Sequence, residues 1–87
     1  MSEIKDFIDK NSPRFLDELF TLLRIPSVSS QQEHREDMYT CARQYVVSLM
    51  EAGADKAQIY PTTGHPVVYA EKIIDPGKPT VLVYGHY

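Results

Sequence analysis

Val81-Leu82-Val83-Tyr84-Gly85-His86-Tyr87 joins an unbroken apolar run to a glycine and a histidine. An apolar run of this kind predicts a strand that is buried on both faces, as in the middle of a sheet. Ligand and metal sites of open α/β sheets lie just beyond the carboxyl ends of such strands. Gly85 lets the backbone turn there, which makes His86 a candidate metal ligand. A hydrogen-bonded structural histidine is the alternative.

Upstream, apolar residues from Ile4 to Leu23 recur at a period near 3.6, which predicts a helix that ends at about Arg24. Pro13 lies inside this segment. Because proline disrupts a helix interior but suits the first helical position, we expect a kink or break near Asn11.

A second helix is predicted from about His34 to Ala52, with Gly53 as its left-handed cap. Cys41 falls on the apolar stripe of this helix, which favours a small core residue over a reactive thiol. His34 lies in the polar first turn, where a solvated surface position is expected.

Beyond the second helix the pattern changes to short strands. We predict strands at Gln58–Tyr60, Val67–Ile74 and Thr80–Tyr84, and the short loop before the last one favours an antiparallel hairpin of the last two. The predicted class is therefore α/β, with two helices followed by about three strands. His65 precedes a strand in a Gly-His-Pro turn and is left out of the metal site.

Composition excludes several classes of protein. Net charge is −3, and the nine basic residues form no stripe, which argues against a nucleic-acid partner. The sequence has neither a membrane-length apolar run nor a phosphate-binding glycine motif. The serines of Ser27–Gln32 lack a nucleophile elbow and are interpreted as turn residues. One cysteine and an acidic start suggest a protein of the cytoplasm, not associated with membranes.

Three segments together resemble the start of a known family. They are Ile25-Pro26-Ser27-Val28-Ser29, then Thr63-Gly64-His65-Pro66-Val67-Val68-Tyr69-Ala70, then Thr80 to Tyr87. Their residues and their order along the chain resemble those of the zinc dipeptidase, aminoacylase and carboxypeptidase family. That family includes carnosinase-like dipeptidases, acetylornithine deacetylase and succinyl-diaminopimelate desuccinylase. The Tyr-Gly-His-Tyr sequence is most similar to that of the dipeptidase branch.

The resemblance implies the opening part of a dizinc exopeptidase catalytic domain. His86 matches the zinc ligand of the family's His-x-Asp motif, and Tyr87 matches the middle position. The motif's Asp, which orients the ligand, and the family's other ligands have no counterpart here. The implied parent enzyme is a hydrolase, a dipeptidase or deacylase that acts on a small peptide or acyl-amino acid with two Zn²⁺ ions, which lower the pKa of a bound water to about 7.

Residues 1–87 are therefore expected to be a partial N-terminal segment of a metallopeptidase catalytic domain, inactive alone and binding zinc at most weakly. Because such a segment leaves sheet edges and apolar faces uncovered, we also expect it to self-associate. The alternative is a naturally short, non-catalytic binding or assembly module derived from such a hydrolase.

Overall fold

The computed structural model describes residues 2–87. Its elements are helix α1 (Ser2–Leu23), a short 3₁₀ turn (Gln32–His34), helix α2 (Arg35–Glu51) and strands β1 (Lys56–Tyr60) and β2 (Val67–Glu71). Two helices precede an antiparallel pair of strands, so the predicted α/β class is confirmed. No helix among residues 2–87 has both the length and the apolar character that a membrane crossing requires.

Helix α1 continues through Pro13, so the predicted break near Asn11 is wrong. Proline removes one helical hydrogen bond, but the turns on either side keep theirs. Ion pairs with four-residue spacing stand on both sides of the proline, Lys5–Asp9 and Arg14–Glu18, each at 2.7 Å. A single helix thus loses less hydrogen bonding than two helices with an additional pair of ends.

Helix α2 confirms the second predicted helix and supplies the core. Its buried residues are Met38, Cys41 and Ala42, exposed by 2%, 3% and 0%. Their spacing places them on one face, and the strand pair packs against this helix. After the helix, Gly53 has φ of 106°, which confirms it as the left-handed residue that turns the chain toward β1.

The hairpin of the structure joins β1 to β2, in a register that runs from Lys56 opposite Glu71 to Tyr60 opposite Val67. Its turn is organised by Thr62, whose hydroxyl donates to the His65 carbonyl at 2.6 Å and accepts the Gly64 amide at 3.0 Å. The predicted hairpin of the last two strands is wrong for the described residues, in which β2 pairs with β1 and no strand follows β2.

The predicted third strand, Thr80–Tyr84, does not form among the described residues, and β2 ends at Glu71 instead of Ile74. From Val81 to Tyr84 each side chain is 83–89% exposed. A strand buried on both faces requires neighbouring strands and a covering layer on each side of the sheet. The two-stranded sheet within residues 2–87 provides neither, so the apolar run lies uncovered.

Candidate metal centre

The residue after the candidate ligand is fixed to the rest of the chain. Tyr87 is half-buried, and its ring lies against that of Tyr45 on α2, with centroids 5.6 Å apart and planes tilted by 51°. Its hydroxyl donates a hydrogen bond to the carbonyl of Pro66, a buried residue immediately before β2. These contacts hold the backbone next to His86 against both α2 and the hairpin turn.

The surroundings of Tyr45 and Tyr87 raise the pKa of both hydroxyls. Burial raises the pKa of the Tyr87 hydroxyl, and the neighbouring Cys41 and Tyr39 act in the same direction. Burial also raises the pKa of the Tyr45 hydroxyl, again with Cys41 adding to the effect. The uncharged form is therefore favoured beyond the ordinary pKa of 10.0, and Tyr87 keeps its proton for the Pro66 carbonyl at neutral pH.

A second long-range contact joins the turn to the helix connector. The Nε2 atom of His65 lies 2.8 Å from the carbonyl oxygen of Ser29, 36 residues away in sequence. Since a carbonyl only accepts, Nε2 carries the proton in this contact. The connector and the last residue of the chain thus both contact the hairpin turn, Ser29 at His65 and Tyr87 at Pro66. His65 thus serves as a structural hydrogen-bond donor in this turn.

His86 itself is exposed, and none of the side-chain hydrogen bonds within residues 2–87 involves it. Within that range no three or more His, Cys, Asp or Glu side chains are grouped closely enough to hold a metal ion. A protein zinc site takes about three or four ligands. The described residues therefore do not form a zinc site by themselves, and His86 is one donor that needs further ligands.

The other singled-out side chains have structural roles. Cys41 is buried on α2, which confirms it as a core residue. His34 is less exposed than expected: its side chain retains 29% of its surface, and Nδ1 lies 2.8 Å from Asp37 in the next turn. This pair stabilises the start of α2.

The sequence interpretation missed the contacts of Tyr87 with Tyr45 and Pro66. Tyr87 was placed only as the middle position of a motif, and a contact across 21 residues to a backbone carbonyl leaves no periodic signal in the sequence. The position of Tyr45 on the apolar stripe of α2 was the available clue, since stripe residues need a partner.

Two curated proteins match this chain along most of its length. The Cys-Gly metallodipeptidase DUG1 of Candida albicans is 32% identical over 94% of this chain, and that of Saccharomyces cerevisiae is 30% identical over 92%. The chain spans about a fifth of the length of these relatives, 19% in each case. No family model matches the sequence, and no solved structure matches it. The sequence is thus distantly related to metallodipeptidases.

Proposed function

We propose that this chain forms the opening part of the catalytic domain of a zinc-dependent amide hydrolase, most like a dipeptidase, in which His86 binds one of two zinc ions. The observation that carries the proposal is the similarity to two Cys-Gly metallodipeptidases over more than nine tenths of the chain. A dipeptide such as Cys-Gly is accordingly the first substrate to test, with acyl-amino acids next.

In this proposal, the residues of this chain hold one zinc ligand, His86, in place. An imidazole binds zinc through an unprotonated ring nitrogen, and the exposed ring of His86 leaves its nitrogens accessible to a metal. The docked Tyr87 restricts the backbone beside it, which reduces the entropy that a ligand must lose on binding. Bound zinc would polarise the amide carbonyl and activate water; the chain's own part is to hold one ligand in place.

The chain by itself is proposed to be inactive. One imidazole provides about a third of the protein ligands of a catalytic zinc, so binding is expected to be weak and reversible. We therefore expect no hydrolysis of Cys-Gly by residues 1–87 with added Zn²⁺. Hydrolysis at a rate above that of zinc alone would contradict this part of the proposal.

Zinc titration followed by NMR tests the role of His86. The ring signals of His86 are expected to shift most on addition of Zn²⁺, and His86→Ala should abolish the weak binding. His34→Ala is the matched control, because its ring is held by Asp37 at a position remote in sequence. Equal zinc binding by the His86→Ala chain would remove His86 from the site.

Reading the gene beyond the Tyr87 codon tests the larger proposal. An Asp codon followed by further acidic residues and a late histidine is the expected result, since it completes the His-x-Asp motif and supplies the other ligands. A stop codon would overturn the proposal in favour of a short binding or assembly module.

A further inference from the structure

Tyr45 contacts the neighbour of the candidate ligand from the side of the core. It lies on α2 one turn after the buried Cys41 and close to Ala42, so its ring stands on the helix face that forms the core. The ring centroids of Tyr45 and Tyr87 are 5.6 Å apart, which is a favourable spacing for an aromatic pair. Tyr45 therefore connects the most buried part of the fold to the residue beside His86.

Only the ring of Tyr45 takes part in this connection. Its hydroxyl makes none of the side-chain hydrogen bonds within residues 2–87, whereas the Tyr87 hydroxyl donates to the Pro66 carbonyl. Tyr87 is thus held at two points, by ring packing on α2 and by a hydrogen bond to the residue before β2. Because the two points lie on different elements, they restrict both the place and the direction of this side chain.

His86 depends on Tyr87 for its place because the segment before it has few contacts of its own. The side chains from Val81 to Tyr84 are 83–89% exposed. No hydrogen bond within residues 2–87 involves any of residues 79–86. Consecutive Cα atoms lie about 3.8 Å apart, so the docking of Tyr87 directly limits where the backbone of His86 can be.

We propose that Tyr45 is a positioning residue for His86: through the ring of Tyr87 it holds the backbone of His86 in one orientation relative to α2 and the hairpin. The inference rests on the proposed function for the purpose of this orientation, which is to present the imidazole to zinc. An aromatic pair changes an equilibrium constant by about 2- to 10-fold. Removal of the Tyr45 ring is therefore expected to lower the equilibrium constant for docking of Tyr87 by this factor.

Residual dipolar couplings of the isotope-labelled chain, measured without metal, test the proposal because they report the orientation of a single N–H bond relative to the folded core. The His86 coupling should fit the alignment of β1 and β2 in the unmodified chain and in Tyr45→Phe, which keeps the ring. In Tyr45→Ala it should fall toward zero while the couplings of both strands are retained. Phe7→Ala is the matched control, because it removes one ring of the Phe7–Phe15 pair on α1 and should leave the His86 coupling unchanged.

A second variant separates positioning from stability. If Tyr45→Ala does not fold, Tyr45→Leu keeps an apolar side chain on α2 without an aromatic ring, and it should lose the His86 coupling alone. An unchanged His86 coupling in a folded Tyr45→Ala or Tyr45→Leu chain would overturn the proposal, as would a coupling near zero in the unmodified chain or in Tyr45→Phe. Because no metal is present, this result is independent of the zinc titration with His86→Ala, which tests the ligand itself.

Discussion

Met38 is the residue whose loss should cost this fold the most. It is 2% exposed on α2, beside the equally buried Cys41 and Ala42. Replacing it by alanine removes about three methylene-sized groups from the core, which costs roughly 2 kcal/mol in transfer free energy at about 0.8 kcal/mol each. The cavity left behind adds to this, and buried Met-to-Ala changes range over about 2–5 kcal/mol.

The cost of Met38→Ala is measurable because it is a large fraction of the total free energy of unfolding. A chain of this length has an expected free energy of unfolding of about 4–13 kcal/mol, at roughly 0.05–0.15 kcal/mol per residue. The small buried core places this chain near the lower end, so Met38→Ala should remove about half of its stability or more. Urea denaturation followed by far-UV circular dichroism measures the change.

Met50→Ala is the matched control, because Met50 lies on the same helix but is 47% exposed. The same atoms are removed and the same helix propensity is gained, so the difference between the two variants reports burial alone. We expect Met50→Ala to cost less than about 1 kcal/mol. Equal losses for the two methionines, or a larger one for Met50, would refute the assignment of the core to this face of α2.

Three other changes have defined outcomes. Pro13→Ala should raise the free energy of unfolding by up to about 3 kcal/mol, because it restores a hydrogen bond inside a continuous helix; a lower melting temperature would mean that the proline is needed there. Tyr87→Phe should cost about 0.5–1.5 kcal/mol in urea denaturation by removing the hydrogen bond to Pro66, whereas Tyr84→Phe, at an exposed position, should cost nothing measurable. The Ile73 amide, with Lys72 nearby, lowers the pKa of Asp55 against a smaller opposing effect of desolvation. Stability from Asp55 is thus present above its ordinary pKa of 3.8 and lost as the pH falls through its lower folded value, and Asp55→Asn should abolish this part of the acid dependence in a pH series of unfolding curves.

The helices could be predicted from the sequence because their signals are local. The apolar period of α2 and the glycine after it lie within one short stretch of sequence. The structure confirms the positive φ of Gly53. The continuity of α1 through Pro13 could not be predicted, since the same Ser-Pro pair suits both a helix start and a helix interior with one hydrogen bond missing.

Strand pairing and the candidate site depend on distant residues, so the sequence predicted them less well. The run Val81–Tyr84 has the composition of a buried strand, but burial requires partners that its composition does not specify. The place of His86 followed from a motif, and it stays a prediction. The contacts that hold its neighbour Tyr87 became visible only in the structure.

The contacts of Tyr87 also determine how easily the loop between β2 and Tyr87 opens and closes. Between the end of β2 and Tyr87 the chain forms a loop of about 15 residues, whose closure costs roughly 2.4 kcal/mol of chain entropy. The hydrogen bond to Pro66 stabilises the closed loop by about 0.5–1.5 kcal/mol, and the ring contact with Tyr45 contributes a similar amount. These contributions are comparable in size to the closure cost, and a ligand at His86 shifts the equilibrium only to the extent that it binds the closed loop more tightly than the open one. Under the proposed function, metal binding at His86 and closure of this loop would be linked events.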